Sequence, residues 1–379
     1  MNKLRFLRPH VLVAAMCLAV AMCGGYEESA IGTALEESAA PRVGILHSRS
    51  LLRAAATDQA PATAASLIDF GSQVISERCW TPEELLGKPE DHPVRKQRPT
   101  GVAASPLPAG PLNRPAPLPP EWYNSIRAVE MPSNGAKLIA LTFDLCESNG
   151  EISGYDHEIV NTLRTHQIKA TFFAGGKWMR SHPDKTQQLM ADPLFEIGNH
   201  SWSHAHFALI SEAEMEREIL STQAQYEVLR EDLQSKKCVR EVAPAEMEKI
   251  PPIPRLFRFP YGTCNPAALG AVNRCNLAAI QWSVVTGDAA RSQTAANIVR
   301  VVLQQVRPGA IIIAHANGRG RGTAAALTRI IPELRNRGYK FTTVSELLAS
   351  GKAIGMTECY ENKSHDNRRY DLKSARKIK

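Results

Sequence analysis

Short apolar runs alternate with amphipathic segments from residue 137 onward, and this alternation constrains the fold more than any other feature of the chain. The apolar runs cover residues 137–143, 170–174, 194–198, 256–259, 277–285, 310–314 and 340–344. The amphipathic segments between them cover residues 158–166, 212–233, 265–273, 295–306 and 323–337. Strands that alternate with helices pair in parallel, and seven strands in about 210 residues favour a barrel over an open sheet. We therefore predict an α/β fold, a β/α barrel of about seven parallel strands, over residues 130–352.

The N-terminus has the pattern of a secretory signal peptide. Lys3, Arg5 and Arg8 precede an uncharged apolar run over residues 11–23. A basic segment followed by a short apolar run is typical of secretory signals, and this run is shorter than the ~20 residues that cross a bilayer. The pattern predicts a signal peptide over residues 1–23, export to the periplasm or the extracellular space, and no transmembrane helix in the mature chain.

The regions on either side of the predicted barrel differ from it in composition. Residues 24–98 form a low-complexity N-terminal region that we expect to be disordered or weakly structured. Eight prolines between residues 99 and 120 predict an extended linker, because each proline fixes φ and removes a hydrogen-bond donor. Residues 353–379 form a basic C-terminal tail, which we expect to be solvated and disordered at its end.

The net charge of +7 belongs to the two ends of the chain. Residues 1–8 carry three basic side chains and no acidic one, and residues 363–379 carry seven basic side chains against two acidic ones. The remainder is close to neutral, which excludes a basic groove for nucleic acid. We predict no nucleic-acid partner, and at most a weak contact of the tail with an anionic cell-envelope surface.

Reactive side chains follow five of the predicted strands, at the points where these strands end. They are Asp144, the pair His200 and His204, Arg258, Asp288 and His315. Loops at the carboxyl ends of parallel strands converge on one face, so we expect these side chains to form one site. Taken singly, each also fits a structural role as a helix cap, a surface or core histidine, or a turn residue. The two histidines are four residues apart, so that on one helical turn their rings face the same way and can share a cation.

The segments that carry these residues resemble a known family. Residues 142–144, 200–204, 258–262, 282–288 and 313–315 are similar, in order and spacing, to the five motifs of the polysaccharide deacetylase family. That family belongs to the carbohydrate esterases and includes chitin, chitooligosaccharide and peptidoglycan deacetylases. The resemblance covers about residues 137–350. It implies a distorted (β/α) barrel, a divalent metal and the hydrolysis of N-acetyl groups on an amino-sugar polysaccharide.

The chemistry of amide hydrolysis suggests a role for each of these side chains. A cation held by His200 and His204 can activate a water molecule and polarise the acetyl oxygen. Asp144 would remove the proton of that water as general base, and the resemblance assigns to Arg258 the orientation of this aspartate. A backbone N–H near Tyr261 would face the oxyanion.

The leaving nitrogen needs a proton, for which we predict a second pair of residues. His315 as imidazolium would protonate the departing amine, and Asp288 would fix its tautomer and raise its pKa. Tyr261 and Trp282 are predicted to contact the substrate. Trp202 and Trp282 are aromatic residues that either border a sugar-binding groove or belong to the core, and we assign Trp202 to the core.

The chain departs from the family at the residue after Asp144. The family has a second Asp there, which binds the metal, and this chain has Leu145. We predict Glu147 as the third metal ligand, with Asp156 as the second choice and Asp144 itself as a further alternative. Two imidazoles and a carboxylate favour zinc, and they also suit cobalt or nickel. The fourth motif keeps Asp288 but loses the family's first acid and its Trp.

Six cysteines remain after the predicted signal peptide, at positions 79, 146, 238, 264, 275 and 359. An oxidising compartment allows disulfides to persist, but the sequence alone does not choose among the pairings. Cys146 and Cys264 follow the first and third motifs by the same short distance, which gives three alternatives: a disulfide between them, two buried free thiols, or a cysteine that binds metal. We set the last one aside, because a hydrolytic site supplied by Asp and His needs no thiolate.

Two other functions are compatible with the same barrel. A hydrolase of another non-peptide amide would use the same residues, because the fold does not determine the substrate. A non-catalytic glycan-binding protein would result if Leu145 had removed the metal. The presence of Asp144, Arg258 and His315 with the two histidines favours the deacetylase.

Overall fold

A computed structural model describes residues 70–96, 107–108, 110–367 and 370. The strands are β1 (Arg95–Lys96), β2 (Ser125–Glu130), β3 (Lys137–Leu145), β4 (Glu151–Ile152), β5 (Ala170–Ala174), β6 (Phe195–Asn199), β7 (Leu256–Phe257), β8 (Ala278–Ala279), β9 (Val284–Val285), β10 (Ile311–His315), β11 (Tyr339–Thr342) and β12 (Lys352–Met356). The helices are α1 (Gln73–Cys79), α2 (Pro82–Leu86), α3 (His157–Thr165), α4 (Gly176–Ser181), α5 (Pro183–Ala191), α6 (Glu212–Ser235), α7 (Lys237–Arg240), α8 (Pro244–Glu248), α9 (Pro266–Arg274), α10 (Ala295–Gln305), α11 (Thr323–Asn336) and α12 (Val344–Ala349).

The central sheet confirms the predicted α/β barrel and its distortion. Seven strands pair in the order β8-β7-β6-β5-β3-β10-β9, and β11 pairs with the first residues of β3, all in parallel. β2 pairs antiparallel with β12 and makes single bridges to residues 280 and 310, near the two ends of the sheet. The sheet is therefore a distorted, partly closed barrel that β2 spans at its opening.

β3 shows how the sequence pattern produces the two layers of the core. Its odd-numbered residues, from Ile139 to Leu145, belong to a large apolar cluster with α3, α4 and α11. Ala140, on the opposite face, belongs to a second cluster inside the barrel with Phe173 and Ile313. Because side chains alternate along a strand, Thr142 and Asp144 also face the interior, where both are buried. The polar residues of the site thus stand on the interior face of the barrel.

In residues 70–96, apolar side chains anchor the chain to the barrel. Ile75 and Trp80 are buried in the large cluster, and Cys79 forms a disulfide with Cys238. The backbone is extended at Trp80, after which Thr81 caps α2 through a capping box. The weakly structured region predicted over residues 24–98 therefore does not extend over residues 70–96.

Parts of the other predicted regions are also described. In the proline-rich segment, the backbone N–H groups of Leu112 and Asn113 donate to Glu227, each at 2.7 Å. The C-terminal tail begins with β12 and continues to Asn367 in a segment that a disulfide attaches to the barrel. The predicted signal peptide, residues 24–69, residues 97–106 and residues 371–379 lie outside the described residues. Among the described helices, none is both long enough and apolar enough to cross a membrane.

Of the alternatives given for Cys146 and Cys264, the disulfide between them is wrong, and the free thiol is correct for Cys146 but not for Cys264. Cys264 pairs with Cys359, with a sulfur-to-sulfur distance of 2.04 Å, and Cys146 is a buried free thiol. The prediction relied on similar distances from two motifs, whereas Cys359 belongs to the tail, whose path the sequence did not indicate. Cys275 is also free.

Candidate active site

Asp144 and His315 lie side by side at the carboxyl ends of β3 and β10, where their Cα atoms are register partners. Asp144 is 4% exposed. Its Oδ1 accepts a hydrogen bond from Nη1 of Arg258 at 2.9 Å, and its Oδ2 lies 3.6 Å from Nε2 of His200. Burial raises the pKa of Asp144, but the charge of Arg258, with the positive charge that His200 and His315 carry at acid pH, outweighs it, so that the pKa lies below its ordinary value. The carboxylate is therefore ionised and held in one orientation.

Arg258 is fully buried and has partners on every side of its guanidinium. Besides Asp144, it donates to the carbonyl oxygens of Ile280 and Gln281, each at 3.3 Å. The guanidinium also stacks over the ring of Phe173, 3.9 Å from its centroid. These contacts fix the side chain, so that it can position the aspartate without moving itself.

His200 presents an unpartnered ring nitrogen to the site. Its Nδ1 lies 2.8 Å from the carbonyl oxygen of Arg258, which can only accept, so Nδ1 carries the proton. Nε2 is buried and has no hydrogen-bond partner. Burial lowers the pKa of His200. Burial also lowers the pKa of His204, and this pKa lies well below its ordinary value. Both imidazoles are therefore neutral near pH 7, which is the form that binds a metal.

The two histidines approach each other through a loop, and the predicted helical turn is wrong. Residues 200–206 have no helical hydrogen bonding, and the backbone is left-handed at Ser201 and His204, with φ of 62° and 59°. The two imidazole centroids are nevertheless 5.2 Å apart. Asn199 supports the loop, because its Oδ1 accepts the N–H of Ser201 at 2.9 Å.

The third residue beside the histidines is Cys146, and neither Glu147 nor Asp156 joins them. Asp144, the further alternative, does lie beside His200, with its Oδ2 3.6 Å from Nε2. Ligand atoms of Cys146, His200 and His204 all lie within 4.8 Å of one another. Glu147 faces elsewhere: its carboxylate accepts hydrogen bonds from Ser181 Oγ at 2.8 Å and from the backbone N–H of residue 153 at 3.0 Å. Asp156, the second choice, caps α3 by accepting the N–H of residue 159 at 3.2 Å.

The alternation of side chains along β3 explains why Cys146, and not Glu147, lies beside the histidines. Leu145 points into the large apolar cluster, away from the barrel interior. Cys146 is two residues beyond Asp144, so it continues the interior face, whereas Glu147 continues the face of Leu145. Burial raises the pKa of the Cys146 thiol to about 12, so the thiol is neutral in the absence of a cation. The signal for Cys146 was present in the sequence as its spacing from Asp144.

Asp288 binds both the ring and the backbone of His315. Its Oδ1 lies 2.8 Å from Nδ1 of the imidazole, and its Oδ2 accepts the N–H of His315 at 2.7 Å. Thr323 donates its hydroxyl to the same Oδ2, also at 2.7 Å. Burial lowers the pKa of His315, but the charge and hydrogen bond of Asp288 outweigh it and raise the pKa above its ordinary value. This geometry favours the imidazolium.

The two aromatic residues predicted to contact substrate differ in exposure. Tyr261 is 38% exposed, and its ring centroid lies 4.5 Å from that of His204. Trp282 is 4% exposed and donates its indole N–H to the carbonyl oxygen of Glu361 at 3.1 Å. Trp282 therefore supports the loop of Gly262 from within rather than facing the site, because a Cβ on Gly262 would lie 2.4 Å from its ring. Trp202 is buried, as predicted.

Comparison with known proteins identifies the family. The sequence profile described as polysaccharide deacetylase matches residues 132–280. A peptidoglycan-N-acetylglucosamine deacetylase of Bacillus cereus is 31% identical over 221 residues, which are 58% of this chain and 91% of that protein. The chain belongs to the polysaccharide deacetylase family. The resemblance of its five motifs to that family is therefore confirmed, and the protein is a polysaccharide deacetylase family enzyme.

Other members of the polysaccharide deacetylase family are similar to the same part of the chain. A chitooligosaccharide deacetylase of a Bradyrhizobium species is 27% identical over 227 residues, which are 56% of this chain and 92% of that protein. A crystal structure of a peptidoglycan N-acetylglucosamine deacetylase is 28% identical, covers 60% of this chain and 94% of its own, and superposes with a TM-score of 0.47.

Asn317 is a residue of the site that the sequence analysis missed. Its side-chain amide donates to the carbonyl oxygen of Cys146 at 2.8 Å and to the sulfur at 3.1 Å. It follows β10 two residues after His315, so it is also on a chain segment at the carboxyl end of the barrel. The sequence did not indicate Asn317, because its side chain contacts Cys146, which was not among the predicted site residues.

Proposed function

We propose that this protein is a metal-dependent hydrolase that removes N-acetyl groups from an amino-sugar polysaccharide of the peptidoglycan or chitin type. The observation that carries the proposal is the environment of Asp144. One oxygen of its carboxylate is held by Arg258, and the other faces the unpartnered Nε2 of His200. His315 lies beside it on the neighbouring strand. This arrangement supports roles for Asp144 as base, for His200 as a metal-binding imidazole and for His315 as acid around one small volume.

The donor set fits a divalent cation. His200 has a buried ring nitrogen with no partner, and His204 and Cys146 bring two more ligand atoms within 4.8 Å. A set of two imidazoles and a thiolate favours zinc, and cobalt is the usual spectroscopic substitute. We propose that His200, His204 and Cys146 hold this cation, with Cys146 in place of the carboxylate that Leu145 removes. When bound, the cation polarises the acetyl carbonyl and lowers the pKa of a water molecule.

Asp144 takes the proton of the attacking water. Its lowered pKa keeps the carboxylate ionised near pH 7, and the hydrogen bond from Arg258 leaves Oδ2 directed toward the side of His200. A general base needs both properties, because it has to be ionised and also within reach of the proton that it accepts. Arg258 is the positioning residue of this pair.

His315 gives a proton to the departing amine. Its Nδ1 donates to Asp288, so Nε2 is the nitrogen that carries the transferable proton. The raised pKa keeps a larger fraction of the ring protonated at neutral pH than an unpaired histidine would have. A backbone N–H of the loop at Tyr261 would stabilise the oxyanion, as the sequence analysis predicted.

We also propose that the protein works outside the cytoplasm, in the periplasm or the extracellular space. Its two disulfides, Cys79–Cys238 and Cys264–Cys359, support this proposal, because disulfides persist in oxidising compartments. The basic and apolar pattern of residues 1–23 supports it independently.

The first experiment measures acetate release from N-acetylglucosamine oligomers and from peptidoglycan. Zinc-loaded wild type is compared with His200→Ala, and His166→Ala serves as the matched control, since His166 lies at the end of α3 in the outer layer. We expect acetate from the wild type and the control, and none from His200→Ala. Release that is equal in all three proteins would exclude His200 from the reaction. Stoichiometric zinc without acetate release would indicate a different amide substrate.

A further inference from the structure

The C-terminal segment lies against the loop of Tyr261, although it is outside the residues that the family profile matches. We call residues 357–367 together with Tyr370 the C-terminal strap. The strap is joined to this loop covalently by Cys264–Cys359. The side-chain amide of Asn367 donates to the carbonyl oxygen of Gly262. The strap therefore holds a loop whose backbone is left-handed at two successive residues, Tyr261 and Gly262.

The strap is also fixed within itself and to β2. Arg127 stacks its guanidinium over the ring of Tyr360, 3.6 Å from the centroid, and donates to the carbonyl oxygens of Tyr360 at 2.7 Å and Glu361 at 3.1 Å. The carboxylate of Asp366 accepts the backbone N–H groups of residues 361, 362 and 363 at 2.8, 2.7 and 3.0 Å. These contacts give residues 357–367 a defined conformation, and the backbone N–H of Tyr370 donates to the carbonyl oxygen of Asn367 at 2.8 Å.

Tyr370 of the strap extends a row of aromatic rings that starts at the candidate metal site. The centroid of His204 lies 4.5 Å from that of Tyr261, and the centroid of Tyr261 lies 6.2 Å from that of Tyr370. The two tyrosine rings are inclined to each other by 33°. Tyr261 is exposed and Tyr370 is half-buried, so both rings have surface that solvent or a ligand can reach.

We propose that Tyr370, together with Tyr261, forms a subsite for a sugar ring beside the sugar whose acetyl group is hydrolysed. The inference rests on the proposed function and adds to it a substrate-contacting residue from outside the matched family region. The faces of a pyranose ring carry C–H groups and pack on aromatic rings. A rigid aromatic side chain also loses little conformational entropy when it binds.

The test compares the KM and kcat of Tyr370→Ala and Tyr370→Phe with those of the wild type on an N-acetylglucosamine pentamer. We expect Tyr370→Ala to raise KM about threefold to tenfold, the equivalent of one aromatic contact, and to leave kcat unchanged. Tyr370→Phe keeps the ring and should keep most of the affinity. Tyr123→Ala is the matched control, because Tyr123 is an exposed tyrosine that precedes β2.

Two results would overturn the subsite. The first is an unchanged KM in Tyr370→Ala, and the second is a loss in Tyr370→Phe that equals the loss in Tyr370→Ala. The dissociation constant of the pentamer, measured by titration calorimetry, separates this inference from the proposed function. If the wild type releases no acetate, the proposed function fails, and weaker pentamer binding by Tyr370→Ala alone still supports the subsite. If the wild type binds no pentamer, the subsite fails as well.

Discussion

The side-chain amide of Asn317 donates to two atoms of Cys146, the carbonyl oxygen and the sulfur. A hydrogen bond to sulfur orients the thiol and stabilises the thiolate that a cation requires. We therefore predict that Asn317→Ala lowers zinc affinity by about 10-fold to 100-fold, the range typical of residues that orient metal ligands. Competition with a chromophoric chelator measures this change. An unchanged zinc affinity would show that Asn317 serves the backbone of residue 146 alone.

Cys146→Ser should abolish the absorption band that a thiolate gives with cobalt. The wild type loaded with Co²⁺ is expected to show a sulfur-to-cobalt charge-transfer band in the near ultraviolet, because we propose Cys146 as the third ligand beside the two histidines. Cys275→Ser is the matched control, since Cys275 is the other free cysteine among the described residues. A band that persists in Cys146→Ser, or that is absent from the wild type, would contradict ligation by Cys146.

Glu147→Gln should leave metal affinity unchanged within a factor of about two, because the hydrogen bonds of Glu147 are made with Ser181 and the backbone of residue 153. Its effect on stability should also be small. Burial raises the pKa of Glu147, so the carboxyl has a reduced tendency to ionise, and the neutral amide is expected to be tolerated. Zinc titration and urea unfolding check the two parts. A large loss of zinc affinity would return Glu147 to the ligand set.

Asp288→Asn should move the alkaline limb of the pH–rate profile to lower pH. Asp288 raises the pKa of His315, so the imidazolium persists to higher pH. The stability that the ion pair of Asp288 and His315 gives the fold is lost only as the pH rises through the pKa of His315 in the folded protein. The Asp288→Asn substitution removes the negative charge, so His315 loses its proton at a lower pH than in the wild type. Thr323→Val removes one hydrogen bond to Asp288 and keeps the charge, so its profile should move less. Identical alkaline limbs in Asp288→Asn and the wild type would exclude His315 as the acid.

Arg258→Met should destabilise the fold as well as the reaction. Removing one partner of a buried ion pair leaves an uncompensated charge on Asp144, which costs about 3 to 5 kcal/mol of unfolding free energy. The double variant Asp144→Asn with Arg258→Met should recover part of this stability, because no isolated charge remains. Urea unfolding of the two single variants and the double variant measures the coupling. Additive losses would show that the pair does not interact in the folded protein.

The sequence predicted most of the barrel and the residues at its strand ends, because both depend on local patterns. The spacing of apolar residues predicts the strands and helices. The carboxyl ends of parallel strands lie at the same end of the barrel, independently of the conformation of the loops. Asp144, Arg258 and His315 therefore meet at these strand ends, as their positions in the sequence predict. Glu147 does not join them, because side chains alternate along β3 and Cys146 follows Asp144 on the same face.

The remaining differences come from contacts between distant parts of the chain. The loop of His200 and His204 has two left-handed residues, which the spacing of the histidines does not reveal. The partner of Cys264 lies 95 residues away, in a tail whose basic composition indicated disorder. Trp282 is covered by the same tail, so its burial could not be predicted from the motif that contains it.

The order of the cysteines along the chain has a consequence for how the protein acquires its disulfides. Each bond skips one cysteine: Cys79 pairs with Cys238 past Cys146, and Cys264 pairs with Cys359 past Cys275. A chain oxidised in order of emergence would join Cys79 to Cys146 and so consume the thiol of the candidate metal site. Correct pairing therefore requires either early burial of Cys146 at the end of β3 or a disulfide isomerase that releases it. Formation of the candidate metal site therefore depends on correct pairing of the disulfides during folding.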